Sequence, residues 1–329
     1  MKAAFYEKTG PAHDVLQVGE MPTPEPARGE VRVKLRFSGV NPSDVKSRMG
    51  LRSSAPAFAR IVPHSDGMGV IDAVGEGVDR ARIGERVWIW NGAWGRAFGT
   101  AAEFMSLPQE QAVAMPEGTP DEAGACFGIP ALTAMHAVLM SGGVQGKRVL
   151  VQGGAGAVGH YAVQFARELG ASQVIATVSS EAKAQLAREA GAQVVIDYKR
   201  EDVAAAVMRA TNNAGVERVI EVDIAANAAV DAQCVRTGGE WVVYGSGKSP
   251  FPLEFFPLIS KNIELRFFIV YNLDREQRAS AIDTLHRLIR KGSVRHNVSH
   301  RLPLSRIADA HDMVAAGTAG GNVVLSIEG

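Results

Sequence analysis

Between residues 147 and 244 the sequence alternates short apolar runs with longer amphipathic segments. The apolar runs predict strands, and the segments between them place apolar residues at helical spacing. The predicted strands are 147–152, 173–178, 193–197, 216–222 and 239–244, and the predicted helices are 157–169, 181–190, 201–210 and 225–236. Because each helix must return the chain to start the next strand in the same direction, this pattern predicts an α/β fold with a doubly wound parallel sheet.

The preceding part of the chain is rich in strands without intervening helices. Residues 30–40 (EVRVKLRFSGV) alternate apolar and basic side chains, which predicts a half-buried strand. Further short strands are predicted in GVIDAVGEGV, ERVWIW and TAAEFMSL. We therefore expect a barrel-like β domain at 1–122, to which 262–329 returns with two helices and a last strand, and an α/β domain at 123–261, whose first helical region is divided by Pro130.

Composition excludes several classes of protein. The 329 residues carry 35 Lys and Arg against 35 Asp and Glu, so no broad basic field is available for nucleic acid. No apolar run approaches the length of a membrane span, and the first fifteen residues do not resemble a secretory signal, so we expect a cytoplasmic protein. The two cysteines, Cys126 and Cys234, are too few for a four-cysteine zinc lobe and are expected in the core.

The segment 154–159 (GAGAVG) fits the pattern G-x-G-x-x-G. A buried strand precedes it, an amphipathic helix follows it, and a second strand comes at the expected distance, which together predict a dinucleotide-binding turn. The physical reason is that Gly156 and its neighbours have little or no side chain, so the backbone can approach a pyrophosphate. The helix, of which Gly154 and Gly159 flank the start, begins with free N–H groups and a partial positive charge.

The end of the second strand indicates which dinucleotide is bound. An NAD site usually has an acidic residue about 20 positions past the glycines, whereas the residues here are Thr177-Val178-Ser179-Ser180. Lys183 follows on the next helix, and Tyr198 closes the next strand. We interpret Ser179, Ser180, Lys183 and Tyr198 as a pocket for the 2′-phosphate of NADPH. The alternative is a polar loop with a solvated lysine, and Glu181 is the residue that could oppose phosphate binding.

Several motifs occur together in order along the chain: GVNPSDVKSRMG (39–50), PHSDGMGVIDAVGEGV (63–78), GTAAEFMSLP (99–108), GIPALTAMHAV (128–138), VQGGAGAVG (151–159), VIEVDIAAN (219–227) and NVVL (322–325). With them the chain resembles the zinc-free, zeta-crystallin-like quinone oxidoreductases of the medium-chain dehydrogenase/reductase superfamily. The resemblance implies a GroES-like β-barrel-type domain, a Rossmann domain, and a cleft between them that holds the nicotinamide. It also implies a homodimer formed through Rossmann strands such as IELRFFIVYNL, although an internal strand is the alternative there.

The resemblance also bears on zinc. The alcohol dehydrogenases of this superfamily have a cysteine where this chain has Asn41-Pro42-Ser43, and a His-Glu pair where it has Ser65-Asp66. A single histidine without a thiolate is a poor zinc site, so we expect no metal. His64, which stands where glycine is usual, is interpreted as a loop residue that shapes the substrate cleft.

By the same resemblance, Asn41 and Thr133 should lie beside the nicotinamide. The remaining residues expected to contact the cofactor are Gly156, Ala157 and Val158 at the pyrophosphate, Val222, Asp223, Tyr244, Gly245, Ser246, Phe268, Ile269 and Val270 along the rest of it, and Asn322 near the nicotinamide.

One departure from the family concerns the acceptor. Many relatives have a tyrosine two residues after the aspartate corresponding to Asp44, whereas this chain has Lys46, followed by Arg48. Our hypothesis is that Arg48 or Lys46 stabilises negative charge developing on the acceptor oxygen. The alternative is that Lys46 is solvated and Arg48 pairs with Asp44. Trp94, in a glycine-flanked loop, is a candidate to stack on a flat quinone.

Without a Lewis acid, the expected substrates are acceptors that take a hydride readily. The leading prediction is an NADPH-dependent quinone oxidoreductase acting on a small-molecule acceptor. The alternatives are a reductase of enone or acrylyl C=C bonds on the same scaffold, and a non-catalytic, crystallin-like NADPH-binding protein.

Overall fold

The computed structural model describes residues 1–327 and divides into two compact units. Unit 1 comprises Met1–Ile129 together with the chain from His296 onward, and unit 2 comprises Pro130–Arg295. The division differs from the predicted boundary at 261/262, because the strand Glu264–Phe267 and the helix Arg275–Arg290 both belong to unit 2.

Unit 1 is built mainly of antiparallel strands. Its strands are β1 (Lys2–Phe5), β2 (Gln17–Glu20), β3 (Glu30–Val40), β4 (Asp66–Val74), β5 (Arg86–Ile89), β6 (Phe104–Pro108), β7 (Ala112–Ala114), β14 (Val298–Pro303) and β15 (Asn322–Ser326). Its helices are α1 (Ala12–Val15), α2 (Pro42–Arg48), α3 (Asp121–Gly124) and α11 (Ile307–Ala316). The strands β1, β2, β7 and β14 were not predicted.

The long strand β3 organises the sheet of unit 1. The strand order is β14-β15-β3-β4-β5-β7, with β6 also paired to β3. β4 pairs with one edge of β3. On the other edge, β6 pairs with the first half of β3 and β15 pairs with the second half. Along β3 the apolar side chains of Val31, Val33 and Leu35 enter the core. A register shift after Leu35 then turns Ser38 inward in place of Phe37.

Unit 2 contains one six-stranded sheet. Its strands are β8 (Arg148–Val151), β9 (Gln173–Val178), β10 (Val194–Asp197), β11 (Val216–Glu221), β12 (Val235–Val243) and β13 (Glu264–Phe267). Its helices are α4 (Leu132–Leu139), α5 (Ala157–Glu168), α6 (Glu181–Ala190), α7 (Val203–Ala210), α8 (Ile224–Cys234), α9 (Phe255–Ser260) and α10 (Arg275–Arg290). A π-helical turn, Phe127–Ala131, contains Pro130 and separates α3 from α4, as expected of that proline.

The sheet order of unit 2 confirms the predicted fold class. The order β10-β9-β8-β11-β12-β13 is that of a Rossmann fold, and every neighbouring pair is parallel. Leu150, Ile175 and Trp241 are among the side chains that form its core. The strand predicted in IELRFFIVYNL is shorter than that segment, because it ends at Phe267.

No helix within residues 1–327 is long and apolar enough to cross a membrane. Cys126 and Cys234 are both buried and unpaired, as predicted.

Candidate functional site

The glycine turn of unit 2 connects β8 to α5. A Cβ atom on Gly154 would lie 2.6 Å from the Cβ of Ala176, and one on Gly159 would lie 2.1 Å from the carbonyl oxygen of Gly153. Both positions therefore require glycine for close packing of helix against strand. Gly156 differs, because the atom nearest to a Cβ at this position would be the Gly153 oxygen at 3.3 Å. The absence of a side chain at Gly156 therefore leaves open space beside the turn.

The first turn of α5 presents unpaired backbone donors. Gly156 is the residue before the helix, and no side chain caps this end. The N–H groups of Ala157, Val158 and Gly159 have no acceptor within the helix, because first-turn amides never do. Together with the helix dipole, these donors could bind an anion beside the open face of Gly156.

The residues predicted to hold a 2′-phosphate lie at the ends of β9 and β10. The Ser180 hydroxyl accepts the backbone N–H of Lys183 and begins α6. Tyr198 is brought next to this end of β9, because its N–H donates to the carbonyl of Val178 over 3.0 Å. Its side chain is exposed, while Ser179, Ser180 and Lys183 are half-buried. These four residues therefore occupy one region at the edge of the sheet.

Glu181, the acidic residue expected to oppose a phosphate there, has a partner of its own. Its carboxylate lies 2.7 Å from the guanidinium of Arg188, on the same helix. Within residues 1–327 no ion pair involves Lys183. Lys183, three positions past Ser180, is thus a lysine without a salt bridge in the described part of the chain.

A third group lies at the carboxyl ends of β11 to β13. A Cβ on Gly245 would lie 2.1 Å from the Val222 carbonyl oxygen, which shows that the two loops touch. The ring of Phe268 packs against Tyr244, with centroids 6.4 Å apart. Val222 is exposed, whereas Val270 is buried and Ile269 half-buried, so the predicted contact residues differ in accessibility.

Thr133 lies on α4, the helix that packs beside this group. Its side chain is buried, and His136, one turn further along the helix, contacts the ring of Phe268 with centroids 4.8 Å apart. The end of α4 is fixed by Arg218, whose guanidinium donates to the carbonyls of Ala137 and Val138. The backbone of α4 is therefore held firmly in unit 2.

In unit 1, Asn41 and Asp44 begin helix α2 with a capping box. The Asn41 side chain accepts the backbone N–H of Asp44, and the Asp44 carboxyl accepts the N–H of Asn41 over 2.8 Å. Asn41 also donates its side-chain amide to Asp66 over 2.9 Å. Burial raises the pKa of Asp44 to about 7 and that of Asp66 well above its ordinary value.

Arg48 is placed differently from both predictions. It is 2% exposed, and its guanidinium donates to the carbonyl of Gly10. The Asp44 carboxyl faces the start of α2, so the expected pair of Arg48 with Asp44 is absent from the hydrogen bonds and ion pairs of residues 1–327. Arg48 thus ties α2 to the N-terminal segment of unit 1. Lys46 is half-buried on the same helix.

His64 is buried and lies in a hydrogen-bonded chain. Thr100 donates its hydroxyl to the carbonyl of Asp66, so Ser38 must donate to Thr100 over 2.8 Å. It follows that Nδ1 of His64 donates to Ser38, and that Nε2 of His311 donates to Nε2 of His64, each over 2.9 Å. Burial lowers the pKa of both rings, that of His311 to about 3, which keeps them neutral. His64 therefore acts in the core of unit 1 and has no exposed surface with which to touch a substrate.

The remaining predicted residues are divided between surface and interior. Trp94 is 41% exposed in the loop after β5, so it can contact a ligand, whereas Trp88 is fully buried. Asn322 is buried at the start of β15, and its side-chain amide donates to the carbonyl of Asn297 over 3.1 Å. Its amide is therefore already used within unit 1.

Four buried polar residues near the glycine turn are absent from the predicted site: Gln152, Thr177, Glu221 and Asp231. Three of them lie within or directly after parallel strands, where polar residues are unexpected unless they serve a ligand site. Polar residues at these strand positions were the feature of the sequence from which these three residues could have been predicted.

Comparison with known proteins decides the family. Residues 27–117 match the family described as alcohol dehydrogenase GroES-like domain, and residues 157–287 match the family described as zinc-binding dehydrogenase. A quinone oxidoreductase of Pseudomonas aeruginosa is 32% identical over 317 residues, which is 95% of either chain. The chain belongs to the quinone oxidoreductase family of medium-chain dehydrogenases/reductases.

Other members of this superfamily agree over the whole length. The solved structure of an Escherichia coli quinone oxidoreductase complexed with NADPH has a TM-score of 0.87 and 25% identity, covering 99% of this chain and all of its own. An alcohol dehydrogenase of Geobacillus stearothermophilus is 26% identical over 352 residues, which covers both chains fully. The family resemblance seen in the motifs is thereby confirmed.

The description of one matching family raises the question of zinc. The positions expected to ligate it hold Asn41-Pro42-Ser43 in place of the cysteine and Ser65-Asp66 in place of the His-Glu pair, and the Asp66 carboxyl is hydrogen-bonded to Asn41. Both ring nitrogens of His64 are already bonded within unit 1. In the described part of the chain no three His, Cys, Asp or Glu side chains are grouped to hold a metal. These residues do not fit a zinc site.

Proposed function

We propose that this protein is an NADPH-dependent quinone oxidoreductase that acts in the cytoplasm. The observation that carries the proposal is in unit 2. The uncapped start of α5 follows Gly156, which has open space beside it, and β9 is followed by Ser179, Ser180 and Lys183, a lysine in no ion pair of residues 1–327. The relatives named quinone oxidoreductase, one of them complexed with NADPH, support the same assignment.

The residues of unit 2 would hold the cofactor in three places. The backbone of Gly154–Gly159 accommodates the pyrophosphate, and Ser179, Ser180, Lys183 and Tyr198 bind the 2′-phosphate. The residues that line the remaining part of the cofactor are Val222, Tyr244, Gly245, Phe268, Ile269 and Val270. NADPH, when bound, supplies the hydride that reduces the acceptor.

On the acceptor side we propose Asn41 and Trp94. The Asn41 side chain is fixed by its hydrogen bonds to Asp66 and Asp44, so that a ligand would meet it in one orientation. Trp94 offers an exposed aromatic face of the kind on which a flat quinone stacks. Arg48 is omitted, because its guanidinium is buried against Gly10.

We further propose that two copies of the chain associate through unit 2. The strand β13 is an edge of the sheet, and its Phe267 is exposed. Phe255 and Phe256, on the preceding helix, are 74% and 76% exposed. An open edge with exposed aromatic rings suits a second copy of the same strand. Replacing both Phe255 and Phe256 with Glu should yield a monomer by light scattering, whereas Phe58→Glu in unit 1 should not.

The activity is tested by following NADPH oxidation with an ortho-quinone, a para-quinone and an alkyl enone in parallel, with NADH as the comparison. Rapid quinone reduction with NADPH and little with NADH is the expected result. Reduction of the enone alone would assign the protein to the C=C reductases, equal use of NADH would contradict the phosphate pocket, and binding without turnover would indicate a non-catalytic role.

A further inference from the structure

Two buried carboxyl groups contact each other beneath the glycine turn of unit 2. Glu221 ends β11, Asp231 lies on α8, and neither has any exposed surface. Oε2 of Glu221 and Oδ2 of Asp231 are buried and have no hydrogen-bond donor within residues 1–327, and the pKa of each carboxyl responds to a hydrogen bond with the other. Two carboxylates cannot hydrogen-bond to each other, so this contact requires a proton.

The surroundings make two charges at this point unfavourable. The titratable groups that act on the pair or are acted on by it are Asp223, Tyr244 and Cys234, none of which supplies positive charge. No lysine or arginine is among the charges that influence either carboxyl. Burial and the neighbouring carboxyl raise the pKa of Asp231 well above its ordinary value.

The hydrogen bonds around the pair indicate which residue holds the proton. Oε1 of Glu221 accepts from the backbone N–H of Asp223 and from the side-chain amide of Asn227 over 3.0 Å. Both donors belong to the start of α8, where the helix dipole also favours negative charge. Asp231 has a single donor, Gln152, at 2.7 Å. Glu221 is therefore the residue that is favoured in the ionised form, and Asp231 is the residue that is favoured in the protonated form.

From Asp231 a directional chain of hydrogen bonds leads to the glycine turn. Because Gln152 donates its amide to Asp231, its carbonyl oxygen is turned to accept the hydroxyl of Thr177 over 2.6 Å. The same hydroxyl oxygen accepts the N–H of Gly153 over 3.0 Å. Gly153 has a φ of 70° and its own carbonyl accepts the N–H of Gly156, so this anchor sets the start of the turn.

We propose that Glu221 and Asp231 share one proton and act as a positioning pair for the cofactor loops. Asp231 donates to Glu221, which holds the loop after β11, and orients Gln152, which holds the turn after β8 through Thr177. All the donors point the same way along this chain, so each bond strengthens the next. The inference rests on the proposed NADPH site only where it concerns cofactor affinity.

The proton is tested without the cofactor. Carbon-13 labelling of aspartate carboxyl groups, with assignment by Asp231→Asn, should place the Asp231 resonance at the shift of a protonated acid at neutral pH. A resonance typical of an ionised carboxylate would overturn the proposal. This measurement remains decisive even if the protein does not bind NADPH, in which case the proposed function fails separately.

The positioning role is tested by NADPH affinity. Asp231→Asn keeps an acceptor for Gln152 and a donor for Glu221, so the Kd should stay within about threefold of the original. Asp231→Val cannot orient Gln152 and should raise the Kd at least about tenfold. Cys234→Ala, a buried change on the same helix outside the chain of bonds, should leave the Kd unchanged. An unaltered Kd in Asp231→Val, or an equal rise in Cys234→Ala, would overturn the positioning role.

Discussion

Asn41 donates its side-chain amide to Asp66 over 2.9 Å, and both residues are buried in unit 1. Because the carbonyl oxygen of the same amide caps helix α2, its orientation is fixed from two sides. The residue that caps α2 is thus joined to the first residue of β4 through one side chain that we propose contacts the ligand.

Asp66→Ala should release the Asn41 amide and lower kcat about tenfold, because one buried hydrogen bond is lost. Asp66→Asn retains an acceptor and should recover most of that loss. NADPH affinity should not change in either variant, because its proposed ligands lie in unit 2. Steady-state kinetics together with fluorescence titration of NADPH measure both quantities. A loss of affinity equal to the loss of kcat would contradict this role.

Two alanine substitutions in the glycine turn should have opposite effects. Gly156→Ala places its methyl group 3.3 Å from the nearest atom, so the free energy of unfolding should change by less than about 1 kcal/mol. The methyl should nevertheless raise the Kd for NADPH at least about tenfold, because it fills the space where the backbone approaches a pyrophosphate.

Gly159→Ala is the matched comparison. Its methyl would meet the Gly153 oxygen at 2.1 Å, so we expect destabilisation of about 3 kcal/mol in chemical denaturation. If Gly156→Ala bound NADPH normally, the pyrophosphate would have to lie elsewhere.

Lys183→Ala should reduce the preference for NADPH over NADH about tenfold, because a charge-assisted bond to the 2′-phosphate is removed while NADH lacks that group. The ratio of kcat/KM for the two cofactors is the quantity to measure. Lys8→Ala, which removes a surface lysine from unit 1, controls for the change in net charge. An unchanged ratio in Lys183→Ala would show that this lysine is solvated.

Asp44 should make stability depend on pH in an unusual direction. Burial raises its pKa from 3.8 to about 7, so the folded state favours the protonated form. The stabilisation is complete below the ordinary pKa and is lost as the pH rises through about 7. Asp44→Asn keeps the capping acceptor but cannot ionise. Between pH 4 and pH 8, its free energy of unfolding should therefore rise by about 2–4 kcal/mol relative to that of the unmodified protein.

Urea unfolding at several pH values measures this difference, with Asp283→Asn on the exposed face of α10 as the control. A constant difference between Asp44→Asn and the original across that range would mean that Asp44 is ionised in the folded protein.

The sequence was most informative where the interactions are local or repeated. The alternation of apolar runs predicted the strands β8 to β12 within a few residues, because strands buried on both faces read as continuous apolar segments. In β14, by contrast, basic and polar residues alternate with few apolar ones, so this edge strand lacked a clear pattern.

Residues whose roles depend on distant partners could not be placed in this way. Arg48 was four positions from an acidic residue and was expected to pair with it, yet the acid is used by the helix cap and the guanidinium reaches Gly10. His64 is bonded to a histidine 247 positions away, which no local pattern reveals. The acid pair of unit 2 was likewise hidden, because its two members meet only after β11 and α8 have packed.

The position of β15 has a consequence for synthesis of the chain. This strand lies between β14 and β3, so the sheet of unit 1 cannot be completed until residues 322–326 have left the ribosome. Unit 2, by contrast, is one uninterrupted segment ending at Arg295. Unit 2 can therefore acquire its structure during translation, while the strands of unit 1 that are synthesised first keep an unpaired edge until β15 has been made.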